Sequence, residues 1–572
     1  MRLSYININS FRSIKEATIN IGDLTAIVGE NNAGKSAILR AINCFFNYDD
    51  EEESFKSKSH QYSPRSITRI RLQFIDVPND VNENVQNGEL TVCFEYNYSK
   101  HKKTISIIAN DGPINAPSDI ILKIKNHIDY IYIKANRGDD DLDWSSNNSF
   151  FKEIVSKYLS ELTQKRDSLS KKAKEAANSI KPLMNKFCRQ LSEMNMLSNK
   201  DSFTIDHRYE IDYSIFLQNL VLSICTNNTK INISDFGSGV KSVTVIALYR
   251  LLAKIKNVSI ILAIEEPETN LHPQAQKKLI ASLKENRQDY EAQAIFATHS
   301  PVIIDSLEHD EIVLVRREID TKRDFHSKIS QLSHDFWNRH QIEEFKYNNF
   351  FKLKNSDFFF AKYVVVIEGA VDSCVYEYLL ERKIKDKILD VSFLQLGGVK
   401  NIQYPYFLLK ELEIPFTCIL DFDFFTNYIN GKLATSRNPD GFPIYRYDLK
   451  RSKVIDDIWN DQASKNHLRA QLSGSYTSLI EELAKTPLLC KKFCLEMDLV
   501  HSIKTRNEYF RVLQIPVENQ TPLELLTNKK DTIKDVQHLM TVVKNVKVVD
   551  LPISFKKITK ILEERVNKVI TI

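Results

Sequence analysis

No stretch of the 572-residue chain approaches the roughly 20 consecutive apolar residues that cross a bilayer. The N-terminus, MRLSYININSFRS, has no apolar core of the kind a signal peptide carries. A membrane role and export are therefore set aside, and the cytoplasm is the expected location. Cysteine is sparse: eight residues are scattered, and the closest pair, Cys490 and Cys494, has neither a second pair nor nearby histidines at zinc-ligand spacing. They read as reduced core residues. Neither sign of charge predominates, with 78 Lys and Arg against 74 Asp and Glu. The formal net charge is +4, so nucleic-acid binding requires a local basic surface and cannot be argued from the total. Repeats and low-complexity tracts are also missing. What remains is the composition of a globular protein, in a chain too long for one ordinary core, hence two or three domains.

Apolar and polar residues alternate at the start (Ile6 and Ile8 against Asn7 and Asn9), and LTAIV at 24–28 reads as a buried strand entering a glycine-containing turn. Beyond the turn, Ile38, Leu39, Ala41, Ile42, Phe45 and Phe46 recur at helical spacing. The run DDEEES at 49–54 reads as a surface loop before a strand at 67–74. Residues 151–200 are glycine-free, rich in Lys, Glu, Leu and Ala, and interrupted by Pro182, which predicts an inserted helical pair. Its lysines are more often a solvated face than a DNA contact, and dimer packing is a further use. Strand-like runs at 259–264, 293–297 and 312–315 alternate with helical stretches, the pattern of an α/β parallel sheet. Residues 316–360 read as a linker. A second alternating unit begins at Tyr363, with strands VVVIEG, VSFLQLGG and FTCILDFD separated by helices.

The segment Gly29-Glu30-Asn31-Asn32-Ala33-Gly34-Lys35-Ser36 matches G-x-x-x-x-G-K-[ST] between an expected strand and helix. Backbone N–H groups of such a loop turn inward around phosphate oxygens, Lys35 supplies charge to the β- and γ-phosphates, and Ser36 can ligate Mg²⁺. In SIILAIEEPETNLHP two carboxylates end a strand. Glu265 there suits the Mg²⁺ shell, and Glu266 suits polarising the attacking water. QAIFATHSP follows one strand later, with His299 placed to sense the γ-phosphate. An acidic loop after a core strand would explain Glu265 and Glu266 alone but not three motifs in order.

This arrangement resembles the ABC-type ATPase heads of repair and chromosome-maintenance proteins, not those of transporters. The resemblance implies ATP as ligand, a homodimer or higher oligomer, and a signature loop acting in trans. Its counterpart here is DFGSGVKS, where Gly237, Ser238 and Gly239 would donate to the γ-phosphate of the partner's nucleotide. Lys241 and Glu265 depart from the family pattern, which implies slow or partner-dependent turnover. Gln61 is the candidate for the glutamine loop.

Carboxyl ends of neighbouring parallel strands lie side by side, and ligands bind in the crevice there. Glu368 ends the first strand of the second unit, Asp421 and Asp423 end its third, and Asp372 follows Glu368 by about one helical turn. Four carboxylates gathered without cationic partners would repel one another unless metal neutralised them. With Leu396-Gly397-Gly398 between them, these residues resemble a TOPRIM domain. That resemblance implies Glu368 as general acid or base, Asp421 and Asp423 as Mg²⁺ ligands, and two ions clamping a phosphodiester. Mn²⁺ or Ca²⁺ would serve in place of Mg²⁺, and a further ion accompanies ATP.

An ABC-type head followed by TOPRIM is similar to the overcoming-lysogenization-defect (OLD) family of nucleases, over roughly 1–315 and 361–500. The implied fold is α/β: an ATPase domain at 1–150 and 201–315, a dimerisation insert at 151–200, a linker at 316–360, a TOPRIM domain at 361–500 and a completing extension at 501–572. The implied function is an ATP-regulated, metal-dependent DNA endonuclease in antiphage defence. By the same resemblance Glu496, with Asp498 behind it, completes the second metal site, and Lys534, Lys544, Lys556 and Lys557 all compete for a catalytic lysine. Family members act alone, with a helicase-like partner, or beside a retron reverse transcriptase and its hybrid nucleic acid. The competing reading is a non-catalytic ATP-dependent DNA clamp or repair scaffold, which intact Glu368, Asp421 and Asp423 argue against. A topoisomerase or primase would need a tyrosine-bearing or polymerising domain that no segment resembles.

Overall fold

The alternating start of the chain forms two antiparallel strands, β1 (Arg2–Phe11) and β2 (Ile14–Asn20), with Ile6 opposite Ile19 and Ile8 opposite Ala17. The computed structural model describes residues 1–572 apart from 82–87, 110–111, 117, 136–154, 156–162, 194–221, 227–228, 257, 286–291, 321–322, 334, 344–355 and 571–572. They divide into two units, one of Met1–Ile27 with Gly34–Ser306 and one of Val28–Ala33 with Leu307–Ile572.

In the first unit LTAIV is β3 (Leu24–Val28), buried at every position. The strands β4 (Ile67–Ile75), β5 (Leu90–Asn97), β6 (Lys102–Ala109) and β7 (Gly112–Asn115) extend the opening pair in the order β7-β6-β5-β4-β1-β2. All neighbours in that run are antiparallel. Every second residue from Thr68 to Phe74 in β4 is buried, as expected of a sheet packed on one face. The chain then forms β8 (Ile128–Ile133), a small hairpin of β9 (Ser223–Thr226) and β10 (Thr229–Asn232), β11 (Ser259–Glu265) and β12 (Ala292–Thr298). Here the order is β3-β12-β11-β8, with β11 parallel to both neighbours. The buried run SIILAI is thus a central parallel strand, apolar because both faces are covered.

The helix Lys35–Phe46 buries the apolar positions that recur at helical spacing. The run DDEEES is not a loop but part of the helix Tyr48–Lys56. Its acids do not all face solvent, since Glu51 is 2% exposed. Glu51 accepts from Asn43 Nδ2 at 3.0 Å and from Arg40 Nη1 at 3.3 Å, and His60 Nε2 lies 2.8 Å away. A buried carboxylate is tolerated only with such partners. Glu51→Ala is therefore expected to destabilise the protein by about 3 kcal/mol, because Asn43 and His60 lose their partner. Thermal and urea unfolding read this out, and a change within about 0.5 kcal/mol would mean the cluster is only incidental. Within the expected insert, Thr163–Glu193 is a single helix with Pro182 inside it. An internal proline removes one hydrogen bond and can kink a helix without ending it. Residues 151–154, 156–162 and 194–200 of that insert lie outside the described residues.

In the second unit, part of the stretch read as linker is strand. β13 (Ile312–Asp320) and β14 (Arg323–Gln331) form an antiparallel hairpin, and pairing with β13 rather than apolar alternation gives RDFHSKISQ its strand form. The motif-bearing unit follows as β15 (Tyr363–Ile367), β16 (Val391–Gln395) and β17 (Phe416–Leu420). After them come β18 (Thr426–Tyr428), β19 (Tyr445–Leu449) and β20 (Leu488–Cys490). The four-stranded sheet runs β16-β15-β17-β20, all parallel. YVVVI is buried at every position, and its carboxyl end opens beside that of β17. Among the described residues no helix is long and apolar enough to cross a membrane.

Candidate functional site

The phosphate loop is built where β3 meets the helix Lys35–Phe46. A Cβ on Gly29 would lie 2.0 Å from the Val315 carbonyl oxygen, so only glycine fits there. Gly34, with φ of 110°, caps the helix in a conformation that disfavours other residues. Asn32 sits at φ of 61°, and the Ala33 carbonyl accepts from Ser327 Oγ at 2.6 Å. The side chain of Lys35, at the first turn, is 7% exposed.

Glu265 leaves the end of β11 and accepts from Tyr132 Oη at 2.6 Å and from the Ala135 N–H at 3.4 Å. Tyr132 lies on the neighbouring β8, and burial together with the Glu265 carboxylate raises its phenol. The next residue, Glu266, stands at φ of 43°, strained for a non-glycine residue, with its N–H on the Ala297 carbonyl at 2.8 Å. Its Oε1 is 4.0 Å from His299 Nδ1, so β11 and β12 bring these two motif residues together. The sequence reading missed Glu268, which does more to place His299. Its Oε1 accepts from the His299 N–H and from Thr298 Oγ1, both at 2.8 Å, and lies 3.4 Å from His299 Nδ1. The signal was the third acid of EEPE. In the signature segment, Ser238 opens the helix Ser238–Lys256. A Cβ on Gly239 would meet the Asn270 carbonyl at 2.4 Å, so close backbone approach requires this glycine. Gln61 forms an isolated bridge with Phe11.

In the second unit Glu368 follows β15, Gly369 caps the helix Ala370–Ile384, and Asp372 lies in its first turn. Asp421 follows β17 and Asp423 lies in the turn Phe422–Phe424. The Asp421 N–H donates to Glu368 Oε1 at 2.7 Å, tying the two strand ends together. The expectation that these acids gather without a cationic partner is overturned. Lys491, directly after β20, is 1% exposed; its Nζ bridges Asp372 Oδ1 and lies 2.6 Å from Asp421 Oδ1. The sequence hid it because CKKF looks like a surface lysine pair, and because the strand delivering it, LLC, is only three residues long.

Burial pushes the Asp421 carboxyl well above its ordinary value against the pull of Lys491, and Glu368 and Asp372 add to the rise. Glu368 is raised for the same reason, with Lys491 and the Asp421 N–H opposing and Asp372 and Asp423 reinforcing. Burial would lower the Lys491 ammonium, but the surrounding carboxylates hold it well above its usual range. Asp423 accepts from Tyr428 Oη at 3.2 Å. Among the described residues no three acidic, imidazole or thiol groups stand together as a ready metal cage. The donor types nonetheless suit a divalent cation: Glu368, Asp372 and Asp421 crowd around the single Lys491 ammonium, and Asp423 adds its negative charge at Glu368, so acid outnumbers base in the cluster. Hard oxygen donors of this kind suit Mg²⁺, Mn²⁺ or Ca²⁺.

The two acids downstream part company. Glu496 pairs with Lys534 at 3.1 Å; burial would raise it, but Lys534 and local hydrogen bonds bring it below its ordinary value. Asp498 is 2% exposed and takes the N–H groups of Lys492 and Phe493 at 2.9 and 2.8 Å, so it shapes the loop carrying Lys491. Burial pushes it up to about 6. Of the four competing lysines, Lys534 is the one paired with Glu496; Lys557 meets Glu481, Lys556 the Val549 carbonyl, and Lys544 the Tyr378 ring.

Two family profiles match the chain. One, described as "AAA domain, putative AbiEii toxin, Type IV TA system", covers residues 24–305. The other, "Overcoming lysogenization defect protein-like, TOPRIM domain", covers residues 359–423, which hold Glu368, Asp372, Asp421 and Asp423. The chain is 22% identical to the "OLD nuclease" of Thermus scotoductus over 74% of this chain and 82% of that protein. It is 22% identical to "Endonuclease GajA" of Bacillus cereus over 84% of each. To the "Old nuclease" of Escherichia phage P2 it is 23% identical, over 75% of this chain and 78% of that one.

Proposed function

We propose, from the premise that the chain is an OLD-type protein with an AAA ATPase domain followed by an OLD-like TOPRIM domain, that it is an ATP-regulated, divalent-metal-dependent DNA endonuclease serving antiphage defence in the cytoplasm. The observation that carries this reading is the convergence of Glu368 and Asp421, from adjacent parallel strand ends, and Asp372, from the helix that follows the first, around the buried Lys491 ammonium. The relatives named as nucleases support it along most of their length.

Asp421, Asp423, Asp372 and Glu368 would hold the metal, and Glu496, which pairs with Lys534, would complete a second position. When bound, the metal neutralises charge on the phosphodiester and lowers the pKa of a coordinated water. The chain itself supplies the rest. Glu368 has a raised proton affinity, which suits it to exchange a proton with an attacking or leaving oxygen. Its Oε1 is fixed by the Asp421 N–H, so the other oxygen is the one available to substrate. Lys491 holds Asp372 and Asp421 in place and offers a fixed positive charge close to the scissile phosphate.

In the ATPase domain, Gly29 to Ser36 cradle the phosphates, Tyr132 fixes Glu265, and Glu268 fixes His299 beside Glu266. Glu266 then orients and polarises the attacking water. Glu266→Gln is expected to slow ATP hydrolysis by about a hundredfold or more while nucleotide binding persists, as read by phosphate release and by titration of a fluorescent ATP analogue. Equal turnover would remove Glu266 from that role. Gly237, Ser238 and Gly239 would complete the site of a second copy, with the helix Thr163–Glu193 serving dimer contact.

The testing experiment incubates protein with supercoiled and linear DNA, with Mg²⁺, Mn²⁺ or Ca²⁺, with and without ATP, and with a helicase-like protein or a retron reverse transcriptase and its hybrid nucleic acid as candidate partners. The second reading, a non-catalytic DNA clamp, draws on one observation: Lys491 already neutralises part of the cluster. It is favoured if no combination yields cut DNA.

A further inference from the structure

A cleft of about 420 Å³ opens beside the acidic residues of the second unit, within the roughly 300–1,000 Å³ typical of ligand sites. Its wall is aromatic, formed by Phe422, Phe442, Tyr445, Tyr447 and Phe493. Phe442 and Phe493 stack with centroids 5.3 Å apart and planes 25° from parallel, and Tyr445 packs on Phe422 at 4.7 Å. Lys492 and Arg506 make its edge basic, and His501 lines it as an imidazole that burial and those two cations hold below its usual value. Lys492 Nζ stands 5.4 Å from the Phe493 ring centroid and 3.1 Å from His501 Nε2. Asp440 is the one carboxylate among the lining residues described.

Two features set this cleft apart from core packing. Tyr447, on β19, is 39% exposed and stands at φ of 61°, a conformation disfavoured for a bulky residue. The cleft also shares its backbone with the acidic site. Phe422 lies between Asp421 and Asp423, Lys492 and Phe493 follow Lys491, and the Phe422 N–H donates to the Phe493 carbonyl at 2.9 Å.

We propose that this cleft stacks an unpaired nucleobase of the strand whose phosphodiester lies at Glu368 and Asp421, which makes single-stranded nucleic acid, free or as an unpaired segment, the substrate class. This rests on the nuclease reading and deepens it. Aromatic faces accept any base by stacking, and adjacent cations take the flanking phosphates. A blunt duplex keeps its base faces covered and would pay unstacking energy to enter.

The test is fluorescence anisotropy in EDTA, using full-length protein and labelled oligo-thymidine, oligo-uridine and a blunt duplex of equal length. Wild type is expected to bind the single strands at least about tenfold more tightly than the duplex. Tyr447→Ala and Phe493→Leu are each expected to lose about tenfold in single-strand affinity, with duplex binding nearly unchanged. The thymidine and uridine arms separate DNA from RNA. Tyr447 is exposed enough for its removal to leave the fold intact, and thermal midpoints verify this. A 5-iodouracil strand should cross-link to the peptides bearing Tyr447 or Phe493. Equal binding of both strand forms, variants that bind like wild type, or cross-links elsewhere overturn the proposal. Cutting that depends on Glu368 with no change in Tyr447→Ala binding defeats the cleft alone. Cleft-dependent binding without cutting under any condition defeats the nuclease reading alone.

Discussion

Glu368→Gln is expected to reduce DNA cutting by at least about a thousandfold while ATP hydrolysis stays within about twofold of wild type. Glutamine keeps the shape of the side chain, and its carbonyl can still accept from the Asp421 N–H that now meets Glu368 Oε1 at 2.7 Å. The junction between β15 and β17 therefore survives, and what is lost is the charge and the exchangeable proton. Stability should not fall. Burial already penalises the Glu368 carboxylate, so the neutral amide relieves a cost, and Lys491 keeps Asp372 and Asp421 as partners. Timed nicking and linearisation of plasmid DNA with Mg²⁺ or Mn²⁺ and ATP measures the first effect. Phosphate release and a thermal scan measure the others. Cutting at the wild-type rate would remove Glu368 from the chemistry, whereas joint loss of cutting and ATP turnover would signal misfolding.

The residues most legible in the sequence were those at strand ends. A parallel strand announces itself as a short apolar run, and its carboxyl end is where ligands gather, so Glu265, Glu368 and Asp421 could be placed from VVVI, CIL and ILAI alone. Residues that act through partners remote in sequence were not legible. Lys491 lies 119 residues from Asp372, and nothing in CKKF distinguishes the buried lysine from its neighbour. The two in fact diverge: Lys491 enters the acidic cluster, while Lys492 lines the aromatic cleft. Glu51 was hidden for the same reason. An acidic run reads as solvated until Asn43, Arg40 and His60 are seen to enclose one of its members. Strand β14 was missed because its pairing with β13, not its composition, makes it a strand. Tyr132 orients Glu265 without belonging to any motif, so only geometry reveals it, whereas Glu268 lay in plain view as the third acid of EEPE and only its bonds to His299 and Thr298 show what it does.

Lys491→Met is expected to destabilise the second unit by about 3–5 kcal/mol without divalent metal, a fall in its thermal midpoint of roughly 10 °C. Methionine fills a similar volume but leaves Asp372 and Asp421, only 14% and 25% exposed, without the buried ammonium that bridges them. Part of the cost will be relieved by protonation, because burial already raises Asp421 and Glu368 and the loss of Lys491 raises them further. Mg²⁺ should reverse the defect. A ligand that binds the folded state a hundredfold above its dissociation constant contributes about 2.7 kcal/mol, and a site stripped of its internal cation binds metal more tightly. The midpoint should therefore rise more with Mg²⁺ in Lys491→Met than in wild type, where the ammonium competes for the same carboxylates. Cutting should still be impaired in the Mg²⁺-restored variant, since Asp372 and Asp421 are no longer held in place by the ammonium that bridges them. Differential scanning fluorimetry across a Mg²⁺ titration, paired with the plasmid assay, separates the outcomes. Equal Mg²⁺ shifts in the two proteins would mean that Lys491 and the metal do not share ligands, and the carboxylates would then be a lysine-locked structural cluster.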